Sequence, residues 1–112
     1  MFKLDQSGLY AWPVTVQVPT DGGTWTAETF DAQFKRLPDS QLQKMRAAVM
    51  AGELTDKAFA LTVVGGWAGV TDNGQEVPFT MATLERLLEI PGVATAVVLA
   101  FVESQAGAPR KN

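Results

Sequence analysis

Hydrophobic and polar residues alternate along residues 10–18. The apolar members of this pattern are Tyr10, Trp12, Val14, Val16 and Val18. They would share one face of a β-strand, because successive side chains of a strand point to opposite faces. Pro13 has no backbone N–H to give to a neighbouring strand, so we expect an outer strand. The turn residues of 19–23 follow, and the pattern predicts a β-hairpin over about residues 10–34.

The returning half of this hairpin changes its apolar phase partway along. Its apolar residues fall on odd positions at Trp25 and Ala27, and on even positions from Phe30 onward. A β-bulge near Glu28-Thr29 would produce this change, because one extra residue turns every later side chain to the other face. A twisted strand with both faces partly covered would also produce it, and the sequence leaves both explanations open.

Helical spacing replaces strand alternation after Leu37. We expect four short helices over about residues 38–51, 55–65, 81–90 and 93–106. Thr55 and Thr80 are the expected N-caps of the second and third helices. The first helix begins either with Pro38 at its first helical position or with Asp39 as its cap. The sequence therefore predicts an α+β fold in which a hairpin and four helices share one core.

The last of these segments, residues 93–106, is apolar on nearly every side. Its valine-rich middle fits a strand, but the length of the run and its alanines favour a helix. We expect all elements to belong to a single domain over residues 1–112, with 1–8 and 107–112 frayed at the ends.

The glycine-rich stretch 63–79 is the strongest candidate for a ligand site. A phosphate loop would open onto a helix N-terminus, whereas Gly65-Gly66 follows a predicted helix end and has no nearby lysine after it. A calcium loop needs alternating oxygen ligands and a distal glutamate, and Asp72, Asn73 and Glu76 do not supply them. We interpret the stretch as a structural connection in which Gly65 or Gly66 ends a helix and Trp67 anchors the core, followed by a tight turn at 72–74.

Composition narrows the function classes. The chain has 112 residues, a net charge of −3, and neither histidine nor cysteine. It therefore lacks the commonest general base, the usual metal ligands and a thiol nucleophile, so we expect no enzyme, no cofactor and no bound metal. The small net charge argues against nucleic acid as the main partner. No leader is visible and the longest apolar run, 96–102, is far shorter than a membrane span of about 20 residues.

Several short motifs recur in the order and spacing of a known family. In the second half of the chain they are Gly66-Trp67-Ala68-Gly69-Val70, Asp72-Asn73-Gly74, Val77-Pro78-Phe79-Thr80 and Ile90-Pro91. Elsewhere they are Trp12-Pro13-Val14, Phe34-Lys35-Arg36-Leu37, Phe101-Val102-Glu103-Ser104 and the segment 106–112. Over about residues 10–112 the chain resembles the tail assembly chaperones of long-tailed bacteriophages and prophages. It departs from them at Pro38, where the family pattern has a capping serine or threonine.

The resemblance implies a non-catalytic protein that binds the tape measure protein, keeps it soluble and promotes polymerisation of tail tube subunits around it. It further implies a homo-oligomer in the bacterial host cytoplasm that is absent from the mature virion. The alternative is a minor structural or tail-completion protein that remains in the virion.

Two sets of residues are candidates for contact with such a partner. The apolar set consists of the C-terminal helix together with Leu42, Met45, Val49 and Met50 of the first helix and Leu84, Leu87 and Leu88 of the third. The basic set is Lys35, Arg36, Lys44 and Arg46. Apolar residues at this spacing also mark buried helix faces, and surface charges are commonly only solvated, so the sequence assigns no contact residue.

Overall fold

The computed structural model describes residues 1–107. Its elements follow the chain as β1 (Leu9–Thr20), β2 (Thr24–Lys35), α1 (Asp39–Met50), α2 (Asp56–Val63), β3 (Val64–Ala68), β4 (Thr71–Asp72), β5 (Gln75–Glu76), α3 (Met81–Leu88) and α4 (Val93–Gln105). The predicted α+β class, the N-terminal hairpin and the four helices are confirmed. Residues 1–8 form neither helix nor strand, and the segment 108–112, which contains most of the predicted C-terminal tail, lies outside the described residues.

The hairpin pairs β1 with β2 without interruption, from Leu9 opposite Lys35 to Thr20 opposite Thr24. The predicted alternation is confirmed, because Val14 and Val16 are buried while the intervening side chains are exposed. The sheet order is β1-β2-β3, so β1 is an outer strand. An outer position accommodates Pro13, which cannot donate to a neighbour.

The bulge expected near Glu28-Thr29 is wrong. These two residues lie opposite Val16 and Thr15 in continuous register. The apolar phase changes because residues 24–29 are exposed on both faces, so Trp25, which is 65% exposed, need not point to the core. A strand of this length spans about 40 Å, and residues 19–29 at the turn end of the hairpin are all exposed.

The second helix ends at Val63, two residues before the predicted end, and the chain passes directly into β3. Gly65-Gly66 therefore does not end a helix, which corrects the interpretation from the sequence. β3 pairs with β2, and the register places Gln33 opposite Gly66 but Phe34 opposite Val64, so Gly65 is the extra residue of a bulge. A Cβ atom on Gly66 would lie 2.7 Å from the Gln33 Oε1 atom. The absence of a side chain at Gly66 therefore leaves space for the side chain of Gln33.

The helix starts follow the expected signals in two of three cases. The side chains of Thr55 and Thr80 accept hydrogen bonds from the N–H groups of Ala58 and Thr83, as predicted. Neither expectation for the first helix is confirmed, because Pro38 itself occupies the N-cap position with extended backbone and no side-chain cap. Its carbonyl accepts from the first-turn N–H groups instead, and the Asp39 carboxylate accepts from the Gln43 side chain.

The core lies between one face of the sheet and helices α2, α3 and α4, and Leu42 and Met45 of α1 also belong to it. Phe101 of α4 is 2% exposed and occupies its centre. Its ring packs edge to face on those of Phe34 of β2 and Phe59 of α2, with ring centroids 5.2 Å and 5.7 Å apart. Such aromatic pairs add to the free energy gained by burial alone. Helix α4 is thus confirmed as a helix and fixed to both the sheet and α2.

Candidate functional site

A groove of about 480 Å³ runs between α1 and α4, and it is lined almost entirely by apolar side chains. The α1 wall consists of Leu42, Arg46, Val49 and Met50. These positions recur at i, i+4, i+7 and i+8, so they form one ridge of the helix. From Leu42 to Met50 the ridge rises about 12 Å, which is a little over two helical turns.

The opposite wall is the C-terminal half of α4, and the floor is aromatic. Val98, Val102 and Gln105 of α4 and Ala106, its C-cap, form this wall, and Phe59 and Phe101 form the floor. The floor is part of the core, since both phenylalanines are at most 5% exposed. The rim is not, because Met50 is 89% and Val102 is 55% exposed. The groove therefore has a buried hydrophobic floor and an exposed apolar rim. None of the described residues covers that rim.

A polar network fixes the end of α4 beside this groove. The Gln105 side-chain amide donates to the Tyr10 hydroxyl at 2.7 Å, and that hydroxyl is also hydrogen-bonded to Ser104 Oγ at 2.7 Å. Ser104 donates in turn to the Phe101 carbonyl, so its single proton is used and Tyr10 donates to it. The Arg36 guanidinium lies 4.7 Å from the centre of the Tyr10 ring. These contacts tie α4 to β1 and hold the wall in place.

The apolar set predicted from the sequence divides between this groove and the core. Leu42, Val49 and Met50 line the groove, although Leu42 is itself buried, and Met45 is buried outside the groove lining. On α3, Leu84 and Leu88 are core residues and Leu87 is half-buried. Of the helix pair named from the sequence, α1 lines the groove and α3 does not, and the C-terminal helix α4 supplies the second wall. Phe101 lies in the floor of the groove.

The predicted basic cluster also separates. Arg46 lines the groove, Arg36 covers Tyr10, and Lys44 is exposed two residues away from Arg46 on α1, outside the groove. Lys35 ends β2. Only one of the four cations is thus placed to meet a molecule bound between α1 and α4.

The glycine-rich stretch forms a second, separate structure. Asn73 and Gly74 join β4 to β5 with φ angles of 52° and 77°, the values of a two-residue hairpin turn. This confirms the predicted tight turn. Trp67 donates from Nε1 to the Val77 carbonyl at 2.8 Å and packs edge to face on Phe79. Within residues 1–107 no group of three or more acidic side chains is arranged to hold a metal ion.

An ion pair away from the groove joins α2 to the end of α3. The Lys57 ammonium donates to the Glu89 carboxylate. This hydrogen bond raises the pKa of Lys57 and lowers the pKa of Glu89 from their ordinary values. Both groups are exposed, so the pair makes a small contribution to stability.

Sequence reasoning proposed the apolar C-terminal helix as a partner surface but named none of the α4 residues that line the groove, namely Val98, Val102 and Gln105. The sequence feature that pointed to them is the apolarity of the whole helix. A helix that packs against the core on one side needs a single apolar face. Here Leu99 and Val102 remain exposed.

Comparison with known proteins gives no match to a protein-family description, to a curated protein or to a solved structure. Among residues 1–107 no single helix has both the length and the hydropathy to cross a membrane. Helices α3 and α4 reach those limits only when taken together, and the chain bends by 105° between them.

Proposed function

We propose that this protein is a tail assembly chaperone of long-tailed bacteriophages or prophages, which binds the tape measure protein and keeps it soluble until tail tube subunits polymerise around it. The observation that supports this proposal is the apolar groove between α1 and α4. The family motifs of residues 66–91 suggest the partner, and the groove suggests how that partner is held.

The groove suits one face of an amphipathic helix. A long helical protein exposes an apolar stripe along its length, which causes aggregation unless another surface covers it. Helix-in-groove recognition uses apolar anchors at i, i+3 or i+4, and i+7. A ridge of about 12 Å matches one such set of anchors. The exposed methionine at the rim adapts to anchors of different shape.

One chaperone copy covers only a short part of such a partner. A groove of two helical turns faces about eight residues of a helix, so a long tape measure protein requires many copies. We infer a non-catalytic protein that works as a homo-oligomer in the bacterial host cytoplasm, does not enter the mature virion, and has tail tube protein as a second partner.

Co-expression with the tape measure protein tests this function. We expect that protein to be soluble only when the present chain is produced with it, in a complex whose mass corresponds to several chaperone copies. Purified virions provide the second measurement, and we expect them to lack the chain. If the two proteins never associate and the chain is found in virions, the proposal is wrong and a minor structural or tail-completion role replaces it.

A further inference from the structure

Arg46 interrupts the apolar wall of the groove at its middle. Along α1 it lies one turn after Leu42 and one turn before Met50, on the same i, i+4 row. Leu42 is 8% exposed, whereas Arg46 and Met50 are exposed, so a helix that lies along this wall covers Arg46 together with Met50. Among the ten described residues that line the groove, Arg46 is the one with a formal charge.

The guanidinium of Arg46 has no partner within the described part of the chain, because no ion pair or hydrogen bond joins it to any of residues 1–107. A guanidinium carries five N–H donors. Covering it with an apolar surface would remove water from those donors without replacement, and an uncompensated charge opposes binding. A carboxylate on the bound helix removes that penalty, since arginine and carboxylate form paired, charge-assisted hydrogen bonds.

The rest of the chain does not attract a carboxylate-bearing helix from a distance. The net charge is −3, so the average field of the protein repels an acidic ligand weakly. Charges in solution are screened beyond about 8 Å at physiological ionic strength. Selection for a carboxylate must therefore arise from contact at Arg46 itself.

We propose that the groove selects an amphipathic helix that carries a carboxylate beside its apolar stripe, and that Arg46 is the residue that determines this specificity. This inference rests on the proposed function, because it takes a helix as the occupant of the groove. The inference adds that contact between Arg46 and a carboxylate makes the groove prefer one helical segment over another of equal apolarity.

Two synthetic peptides test the proposal. Both are amphipathic helices longer than about 15 residues with the same apolar stripe, and they differ at one flanking position, which is Glu in one and Lys in the other. Calorimetry gives the affinity of each peptide for the wild-type chain, Arg46→Glu and Lys44→Glu. Lys44→Glu is the matched control, because it makes the same charge change on the same helix outside the groove.

We expect the wild-type chain to bind the Glu peptide about fivefold more tightly than the Lys peptide, the upper range for an exposed ion pair. Arg46→Glu should reverse the order, and Lys44→Glu should retain it. If the wild-type chain and Arg46→Glu bind each peptide with the same affinity, the arginine bends out to solvent on its long stem. That result overturns the charge selection and leaves the groove as a helix site. Failure of both peptides to bind any variant overturns the selection and the helix site together.

Discussion

Met50 offers the most direct mutational test of the groove, because its side chain is 89% exposed at the rim. Complete burial of a methionine side chain contributes about 1.5–3 kcal/mol. A partner that covers the exposed fraction would therefore gain about 1.3–2.7 kcal/mol from it. Since 1.4 kcal/mol corresponds to a tenfold change in affinity, Met50→Ser should weaken partner binding by roughly 10- to 80-fold.

The same substitution should hardly affect folding. Met50 is the last residue of α1 and packs little of its surface in the free protein, and substitutions at such positions usually change stability by less than about 0.5 kcal/mol. The assay is the affinity of the purified chain for a helical segment of the tape measure protein, with thermal unfolding as the check on folding.

Met81→Ser is the matched control. Met81 is 53% exposed at the first position of α3 and lies outside the groove. We expect this variant to bind like the wild type. If Met81→Ser weakens binding while Met50→Ser does not, the partner occupies another surface and the reasoning from the α1 ridge is refuted.

Three further predictions concern stability. Phe101→Ala should cost about 3–5 kcal/mol of unfolding free energy, because it leaves a cavity at the centre of the aromatic cluster; denaturant unfolding measures this, and a loss below about 1 kcal/mol would contradict the packing. Thr80→Ala removes the α3 cap and should cost about 1 kcal/mol, with Thr80→Ser as a control that retains the hydroxyl. The lowered pKa of Glu89 predicts that its bond to Lys57 stabilises the fold above the pKa of an unfolded glutamate, about 4.3, and that this contribution is lost as pH falls through the lower folded value. Urea unfolding of Glu89→Gln beside the wild type should therefore show a small difference near pH 7 that disappears in acid.

Local signals were sufficient for most of the fold. The alternation of residues 10–18, the caps at Thr55 and Thr80 and the Asn73-Gly74 turn each act within a few residues, so the sequence predicted them correctly. The end of α2 was missed because Val63 and Val64 are equally apolar and no turn residue separates them. The chain changes from helix to strand there because β2 offers a partner about thirty residues away, and a pairing of that kind leaves no local pattern.

The site was harder to predict than the fold. Helical spacing showed that α1 and α3 each have an apolar face, but spacing does not reveal which helices lie side by side. In the structure α3 buries Leu84 and Leu88 in the core, and the exposed ridge of α1 faces α4 instead. The apolar surface of α4 exceeded what one core requires, and that excess was the feature of the sequence most closely related to the groove.

Methionine methyl NMR gives the most direct test of the central claim that the α1–α4 groove holds a helix of the tape measure protein. Met50 lies on the rim, Met45 is buried in the core, and Met81 is exposed on α3. When a helical tape measure segment is added to the chain, we expect the methyl signal of Met50 to shift and to gain contacts with the segment, while that of Met81 is unchanged. Binding that shifts the Met81 signal and leaves Met50 unaffected would contradict the account.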